Sequence, residues 1–130
     1  MKILTVRSRR DFLRVQRGAE VTVKNANMLI LCRRTEEKYT QVTSRQRLGE
    51  FSRIGFVVTK KVDRRAVARN RIRRRIKGVI NIILRNHCNL YINHIDYVLV
   101  LRRNVLNSSH LELLQGFGKL LGEIRMKYDH

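Results

Sequence analysis

Apolar positions along this chain recur with two rhythms, one of about two residues and one between three and four, and together they mark out helices and strands. Ser8 and Asp11 stand three apart ahead of Phe12 and Val15, which share a helical face, and Gly18 follows as a stop. This predicts a short first helix whose capping box carries Asp in place of the preferred Glu. Val21 to Val23 and Met28 to Cys32 are apolar, partly β-branched runs separated by Lys24-Asn25-Ala26-Asn27, either one broken strand or two short ones. Arg33 to Ser52 is polar, charged and aperiodic, which predicts an exposed loop, mobile over 34–52. Ile54 to Thr59 is β-branched and aromatic and apolar on both faces, as a central strand would be, and Gly55 within it predicts the close approach of another backbone.

From about Arg65 to Arg85 the period turns helical, with Ile72, Ile76, Val79, Ile80 and Ile83 in one stripe. Tyr97 to Leu101 predicts a second interior strand. Ser109 and Glu112 then make a full capping box, and Leu114, Phe117, Leu121 and Ile124 repeat at i, i+3, i+7 and i+10 along a terminal amphipathic helix. The order α-β-β-β-α-β-α describes a single α+β domain over residues 1–130, without internal repeats.

Composition adds the partner. The chain is 43% hydrophobic, enough to offset the entropy of folding, yet it carries 29 Lys and Arg against 10 Asp and Glu, a formal net charge of +19. The excess is lopsided: residues 1–87 hold 24 basic and 6 acidic side chains, and residues 88–130 hold 5 and 4. Such a field attracts a polyanion, namely RNA, DNA or an anionic membrane surface. No apolar run approaches the ~20 residues that cross a bilayer. The start, Met1 to Arg7, lacks the apolar core of a signal peptide, so a cytoplasmic protein without a membrane partner is expected.

Catalytic signals are absent. Cys32 and Cys88 are expected to be buried, reduced thiols. His87 beside Cys88, with His94 beyond, does not have the spacing of a closed tetrahedral metal set. No Gly-rich phosphate loop, Gly-x-Ser-x-Gly elbow or His-Glu-x-x-His pair occurs.

The basic charge peaks between Lys60 and Lys77, where eighteen residues include ten Lys or Arg and one acid, Asp63. On a helical projection of about 100° per residue, Asn70, Arg73, Arg74 and Lys77 form a flank beside the apolar stripe. Arg71 and Arg75 lie at its other edge, suited to packing or to a second contact surface, and Arg69 borders the core. Arg suits phosphate because its planar fork binds two oxygens at once. Like charges at i, i+4, such as Arg69 with Arg73, repel by a few tenths of a kcal/mol, roughly, so their repetition has a reason beyond stability. Taken singly, Arg64, Arg65 and Arg75 are read equally well as diffuse charge.

The run from Lys60 to Arg74, with its Arg69-Asn70-Arg71 core, resembles the signature segment of the bacterial ribonuclease P protein subunit family. Arg53 to Val58 resembles that family's central strand, and Asp96 to Arg103 its last strand with a terminal basic pair. The resemblance extends from Ser8 to Ile124, loosely in the N-terminal third. It implies a four-stranded sheet with a left-handed βαβ crossover, against the usual right-handed rule. It also implies a partner RNA that holds the active site and its Mg2+ and removes the 5′ leader of precursor tRNA, with one protein per RNA. The protein would then have no catalytic, metal-binding or cofactor-binding residues of its own.

By position, the resemblance assigns RNA binding to Lys60, Lys61, Arg64, Arg65, Arg69, Asn70, Arg71, Arg73, Arg74 and Lys77. It assigns a leader cleft, between the first helix and the sheet, to Phe12, Val57, Thr59 and Lys60. Phe12 is read equally as a core anchor. One helical turn after Phe12 the family's second aromatic is replaced by Gln16, and Met28 to Cys32 lacks the aromatic expected for stacking. Because base stacking on an aromatic is worth ~1–3 kcal/mol, weaker or more polar leader contacts are expected. The Arg33 to Ser52 segment is longer than in many members. Two other functions fit less well: a structural RNA-binding protein of ribosomal type, and a protein nuclease using Asp63, His87 or His94.

Overall fold

The computed structural model describes residues 2–6, 8–36, 51–87 and 90–129. In chain order the elements are β1 (Lys2–Thr5), α1 (Arg9–Arg17), β2 (Val21–Lys24), β3 (Met28–Arg34), β4 (Phe51–Val57), α2 (Ala66–Asn86), β5 (Ile95–Leu101), a 3-10 helix (Arg103–Asn107) and α3 (His110–Tyr128). The strands form one five-stranded sheet in the order β1-β4-β5-β3-β2. The expected sheet of four gains β1 at its edge, parallel to β4, with Lys2 opposite Phe51 and Thr5 opposite Ile54. Four residues are too few to show an alternation, and β1 exists as a strand only because β4 offers it an unpaired edge.

Local signals set most element ends. Ser8 Oγ accepts from Asp11 N at 3.1 Å at the start of α1, and Gly18 N donates to Arg14 O at 3.1 Å at its end. Asp11 lies in the first turn and Arg14 and Arg17 in the last, each sign facing the favourable end of the helix dipole. Between β2 and β3, Asn25 Oδ1 accepts from Asn27 N at 2.8 Å and Met28 N at 3.0 Å, so the apolar runs are two antiparallel strands around an Asx turn. Both halves of the capping box of α3 are made, Glu112 N to Ser109 Oγ at 3.1 Å and Ser109 N to Glu112 Oε1 at 3.3 Å.

The expected loop is shorter than its predicted limits. Arg33 and Arg34 extend β3 opposite Asp96 and Ile95, and Phe51 and Ser52 begin β4. These residues are polar by sequence but pair because β5 supplies a full-length neighbour. Residues 37–50 lie outside the described residues, as does Cys88. The best-patterned strand likewise moves upstream: β4 ends at Val57, and Val58 and Thr59 lead into a turn in which Val62 N donates to Thr59 O.

Alternation divides the sheet into two faces. One carries Val21, Val23, Met28, Ile30, Cys32, Ile54, Tyr97 and Leu99 into the main core. There they meet Ile72, Ile76, Val79, Ile80 and Ile83 of α2, all five as patterned. The terminal helix adds Leu113, Phe117, Leu120, Leu121 and Ile124, while Leu114, expected in its stripe, is only partly buried at the rim. Each such aliphatic side chain contributes about 1.5–3 kcal/mol when fully buried. The opposite face is covered by α1, a short helix that packs on β5 and β3. β4 and β5 are parallel neighbours joined through α2.

Candidate nucleic-acid interface

The nine-residue α1 has only two buried side chains, Asp11 and Val15, so apolar burial alone does not seat it. A buried ionic cluster does. Arg53, from the middle of β4, donates from Nε to Asp96 Oδ1 at 2.8 Å, from Nη2 to Asp96 Oδ2 at 2.6 Å and from Nη1 to Asp11 Oδ2 at 3.1 Å. Thr35 Oγ1 adds a bond to Asp96 Oδ1 at 2.8 Å. Arg14 of α1 lies 3.6 Å from Asp96 Oδ2 and 3.2 Å from Glu36 Oε1. The hydrogen bond to Asp96, followed by the attraction of both carboxylates, pushes the Arg53 guanidinium further up, against the opposing effect of burial. None of these roles was legible from the sequence pattern, although an Arg inside an otherwise apolar strand is itself a signal of a buried partner.

Two residues beyond Arg53, Gly55 lies beneath the ring of Phe12. A Cβ at position 55 would sit 2.5 Å from Phe12 Cζ, 2.7 Å from Cε1 and 3.0 Å from Val6 Cβ. The expected close approach is therefore made by a side chain, not by another backbone. Phe12 is half-buried and its ring packs over Gly55, the contact by which it anchors α1 to the sheet.

Beyond Phe12 this face of the sheet is less covered. Val57 pairs with Val100, and Val100 with Leu29, and all three are half-buried, as is Leu31. Leu29, Leu31 and Val100 were not singled out in the sequence; the alternation of Met28 to Cys32 holds the signal, because its odd positions turn away from the core. Thr59 and Lys60 are exposed just past the end of β4. The structure thus places Phe12 and Val57 on one face, with Thr59 and Lys60 at its end. Gln16 is exposed on α1.

The ten basic-segment residues divide by what they touch. Arg65 is tied to Asp63, by N at 2.9 Å, Nε at 3.3 Å and Nη2 at 3.2 Å, and these contacts hold the Asp63 carboxyl below its ordinary range. Arg69, at the border of the core, donates to the carbonyls of Asp63 at 3.1 Å and Arg64 at 2.8 Å, and so braces the turn into α2. Arg73 donates to Asn70 Oδ1 at 2.9 Å, which orients the pair. Arg75 reaches Val105 O at 3.3 Å and Ser108 O, a packing role consistent with its edge position. Among the described residues, Arg64, Arg71, Arg74 and Lys77 are exposed and their side chains make no hydrogen bond or ion pair, and the same holds for Lys60 and Lys61 at the preceding turn. No acid lies in the first turn of α2 to neutralise them.

Asp63, His87 and His94 are not brought together: they line separate hollows, and His94 packs against Phe51 in a tilted arrangement with ring centroids 4.8 Å apart. Among the described residues no three His, Cys, Asp or Glu side chains converge as a metal cluster, and no helix is long and apolar enough to cross a membrane. Cys32 is a free thiol on the core face, pushed up by burial and secondarily by Glu20.

The family model described as Ribonuclease P matches residues 2–125. A ribonuclease P protein component from Brucella suis is 37% identical over 115 residues, covering 88% of this chain and 74% of that protein. One from Brucella melitensis biotype 1 is 34% identical over 119 residues, covering 85% and 78%. The fold is similar to that of the Staphylococcus aureus RNase P protein, with a TM-score of 0.69 at 19% identity and coverage of 92% and 94%. It is also similar to that of the Thermotoga maritima RNase P protein, with a TM-score of 0.66 at 21% identity and coverage of 90% and 94%. Sequence match, fold and the segregated basic helix agree, and the chain belongs to the ribonuclease P protein family.

Proposed function

We propose that this protein is the non-catalytic, RNA-holding half of its endoribonuclease holoenzyme. As a ribonuclease P protein it partners the ribonuclease P RNA. In this reading α2 binds that RNA through Arg71, Arg73, Arg74 and Lys77 with Asn70, and the Lys60–Arg65 turn extends the contact. The half-covered sheet face beside α1 takes the 5′ leader of precursor tRNA, with Phe12 and Val57 as apolar surface and Thr59 and Lys60 at its end. Supporting this division, Arg71, Arg74 and Lys77 are exposed on α2, which packs on one face of the sheet, while the apolar shelf of Leu29, Val57 and Val100 lies on the other face.

Cleavage itself is assigned to the RNA, whose Mg2+ would supply the Lewis-acid chemistry of the reaction. The exposed cations of α2 and of the turn before it, Lys60, Lys61, Arg64, Arg71, Arg74 and Lys77, repel a divalent cation instead of ligating it. One protein per RNA and a cytoplasmic site of action complete the reading.

The observation that carries it is the set of unpartnered cations on α2. A cation with no internal partner adds self-repulsion to the fold unless an outside anion meets it. The experiment is precursor tRNA cleavage with RNA subunit alone, protein alone and both, at low Mg2+. Cleavage is expected only where RNA is present and strongest with both. Leader removal by RNA-free protein would refute the assignment of the chemistry to the RNA.

A further inference from the structure

The turn before α2 and the 3-10 helix line one open groove of about 800 Å3. Lys60, Lys61 and Arg64 line it from the turn, and Arg103 and Leu106 from the 3-10 helix. Asp63 also faces this groove, but its carboxylate is already engaged by Arg65. Arg103 is exposed and, among the described residues, has no internal partner. Leu106, 44% exposed, is a large apolar side chain left among cations. A second hollow of about 230 Å3 adjoins the first and continues past Leu106 to Arg71 on α2.

The far side of this groove is held rigidly. Arg75 reaches from α2 to the carbonyls of Val105 and Ser108, the latter the cap residue of the 3-10 helix. Ser108 Oγ donates to Asn27 Oδ1 at 2.7 Å, Asn104 Nδ2 donates to the same oxygen at 2.9 Å, and Val105 is buried. The 3-10 helix is therefore pinned to α2 on one side and to the β2–β3 turn on the other. A preorganised cation loses less freedom on meeting an anion than one on a loose loop.

We propose that Arg103 is a contact to the phosphate backbone of the ribonuclease P RNA, forming with Arg64 and Arg71 a second RNA surface on the flank of α2 opposite Arg73, Arg74 and Lys77, and that Arg75 is the positioning residue that sets it. The assignment rests on the reading of α2 as the RNA-subunit helix. It chooses that RNA over the leader because the second hollow runs along α2 past Ala68, Arg71 and Arg75, away from the Phe12 face, and only Lys60, at the mouth of the first, also stands at the end of that face. Leu106 supplies an apolar contact for a ribose or base beside the phosphate.

The test measures binding of the full-length protein to the ribonuclease P RNA over a KCl series. Arg103→Ala is expected to weaken binding about three- to tenfold at fixed salt and to reduce the slope of log K against log salt by about one, the signature of one lost phosphate contact. Arg75→Ala is expected to weaken binding similarly in the wild-type background and little further in the Arg103→Ala background. Arg103 is exposed, so its variant stays informative even if Arg75→Ala folds poorly. An unchanged affinity and slope for Arg103→Ala, with loss for Arg74→Ala, overturns the second surface and leaves the α2 reading standing. Unchanged binding for both variants overturns the α2 reading and the proposal with it. Loss of precursor tRNA affinity without loss of RNA-subunit affinity overturns the assignment to the RNA subunit.

Discussion

Arg53 and Asp96, on adjacent parallel strands, meet in a two-pronged ion pair with N···O distances of 2.8 and 2.6 Å, and the same guanidinium reaches Asp11 on α1 at 3.1 Å. One side chain thereby locks two strands of the sheet to the helix that overlies them. Removing one member leaves a buried charge without its partner, which costs about 3–5 kcal/mol. Arg53→Met and Asp96→Asn are each expected to lower the urea midpoint by a corresponding amount. In a double-mutant cycle the two losses should not add, because each single variant already breaks the shared contact. Additive losses would show that the pair acts as two independent sites.

Phe12 and Gly55 provide a steric test of the Phe12 face. Gly55→Ala puts a methyl 2.5 Å from Phe12 Cζ, so the ring must move and take α1 with it. The cost of such overpacking is about 1–3 kcal/mol. The variant is expected to reduce the preference for precursor over mature tRNA, and Phe12→Ala in the same chain should recover stability by emptying the contested space. Should Gly55→Ala leave both stability and preference unchanged, Phe12 does not set the position of α1.

The α2 arginines are expected to separate into two kinds. Arg74→Ala removes an exposed side chain without an internal partner, so stability should stay within about 0.5 kcal/mol while RNA affinity and its salt slope fall. Arg69→Ala removes two bonds to the carbonyls that shape the turn before α2, so it should lower stability as well as RNA affinity. Equal effects on stability would contradict this division.

Alkaline pH should destabilise the fold. Burial pushes the Cys32 thiol above its ordinary value of 9.0 and the Tyr91 and Tyr97 phenols above theirs of 10.0. The unfolded chain ionises these groups first, so it binds fewer protons than the native state once pH exceeds about 9. Their contribution is complete below that pH and falls as pH rises, by about 1.4 kcal/mol per pH unit for each group that titrates only when unfolded. Urea midpoints measured from pH 8 to 11 should fall progressively, and less steeply for Cys32→Ala between pH 9 and 10. A flat profile would show that these groups ionise as readily in the folded protein.

Wherever a signal is local, the sequence carried it. The caps at Ser8 and Ser109 follow from side chains within one helical turn of the backbone groups they satisfy, and the isoleucine stripe of α2 follows from a period set by a single helix. The concentration of charge on α2, and the edge positions of Arg69 and Arg75, were legible for the same reason. The resemblance carried by Lys60 to Arg74 supplied the family and, by position, Phe12 and Val57 as candidates for the proposed leader face.

What the tertiary structure decided depends on partners distant in the chain. Lys2–Thr5 is a strand only beside β4, Arg33 and Arg34 extend β3 only opposite β5, and Arg53 is tolerated in a strand interior only because Asp11 and Asp96 arrive there from other elements. Folding likewise sorted the basic residues, engaging Arg65, Arg69 and Arg75 internally and leaving Arg64, Arg71, Arg74 and Arg103 exposed. Sequence determines how much positive charge the chain carries and which helix face holds most of it. Only the fold decides which of those charges stay exposed, because the turn before α2 brings Asp63 and two carbonyls to Arg65 and Arg69, the 3-10 helix brings two more carbonyls to Arg75, and a guanidinium's partner is set by distance in space.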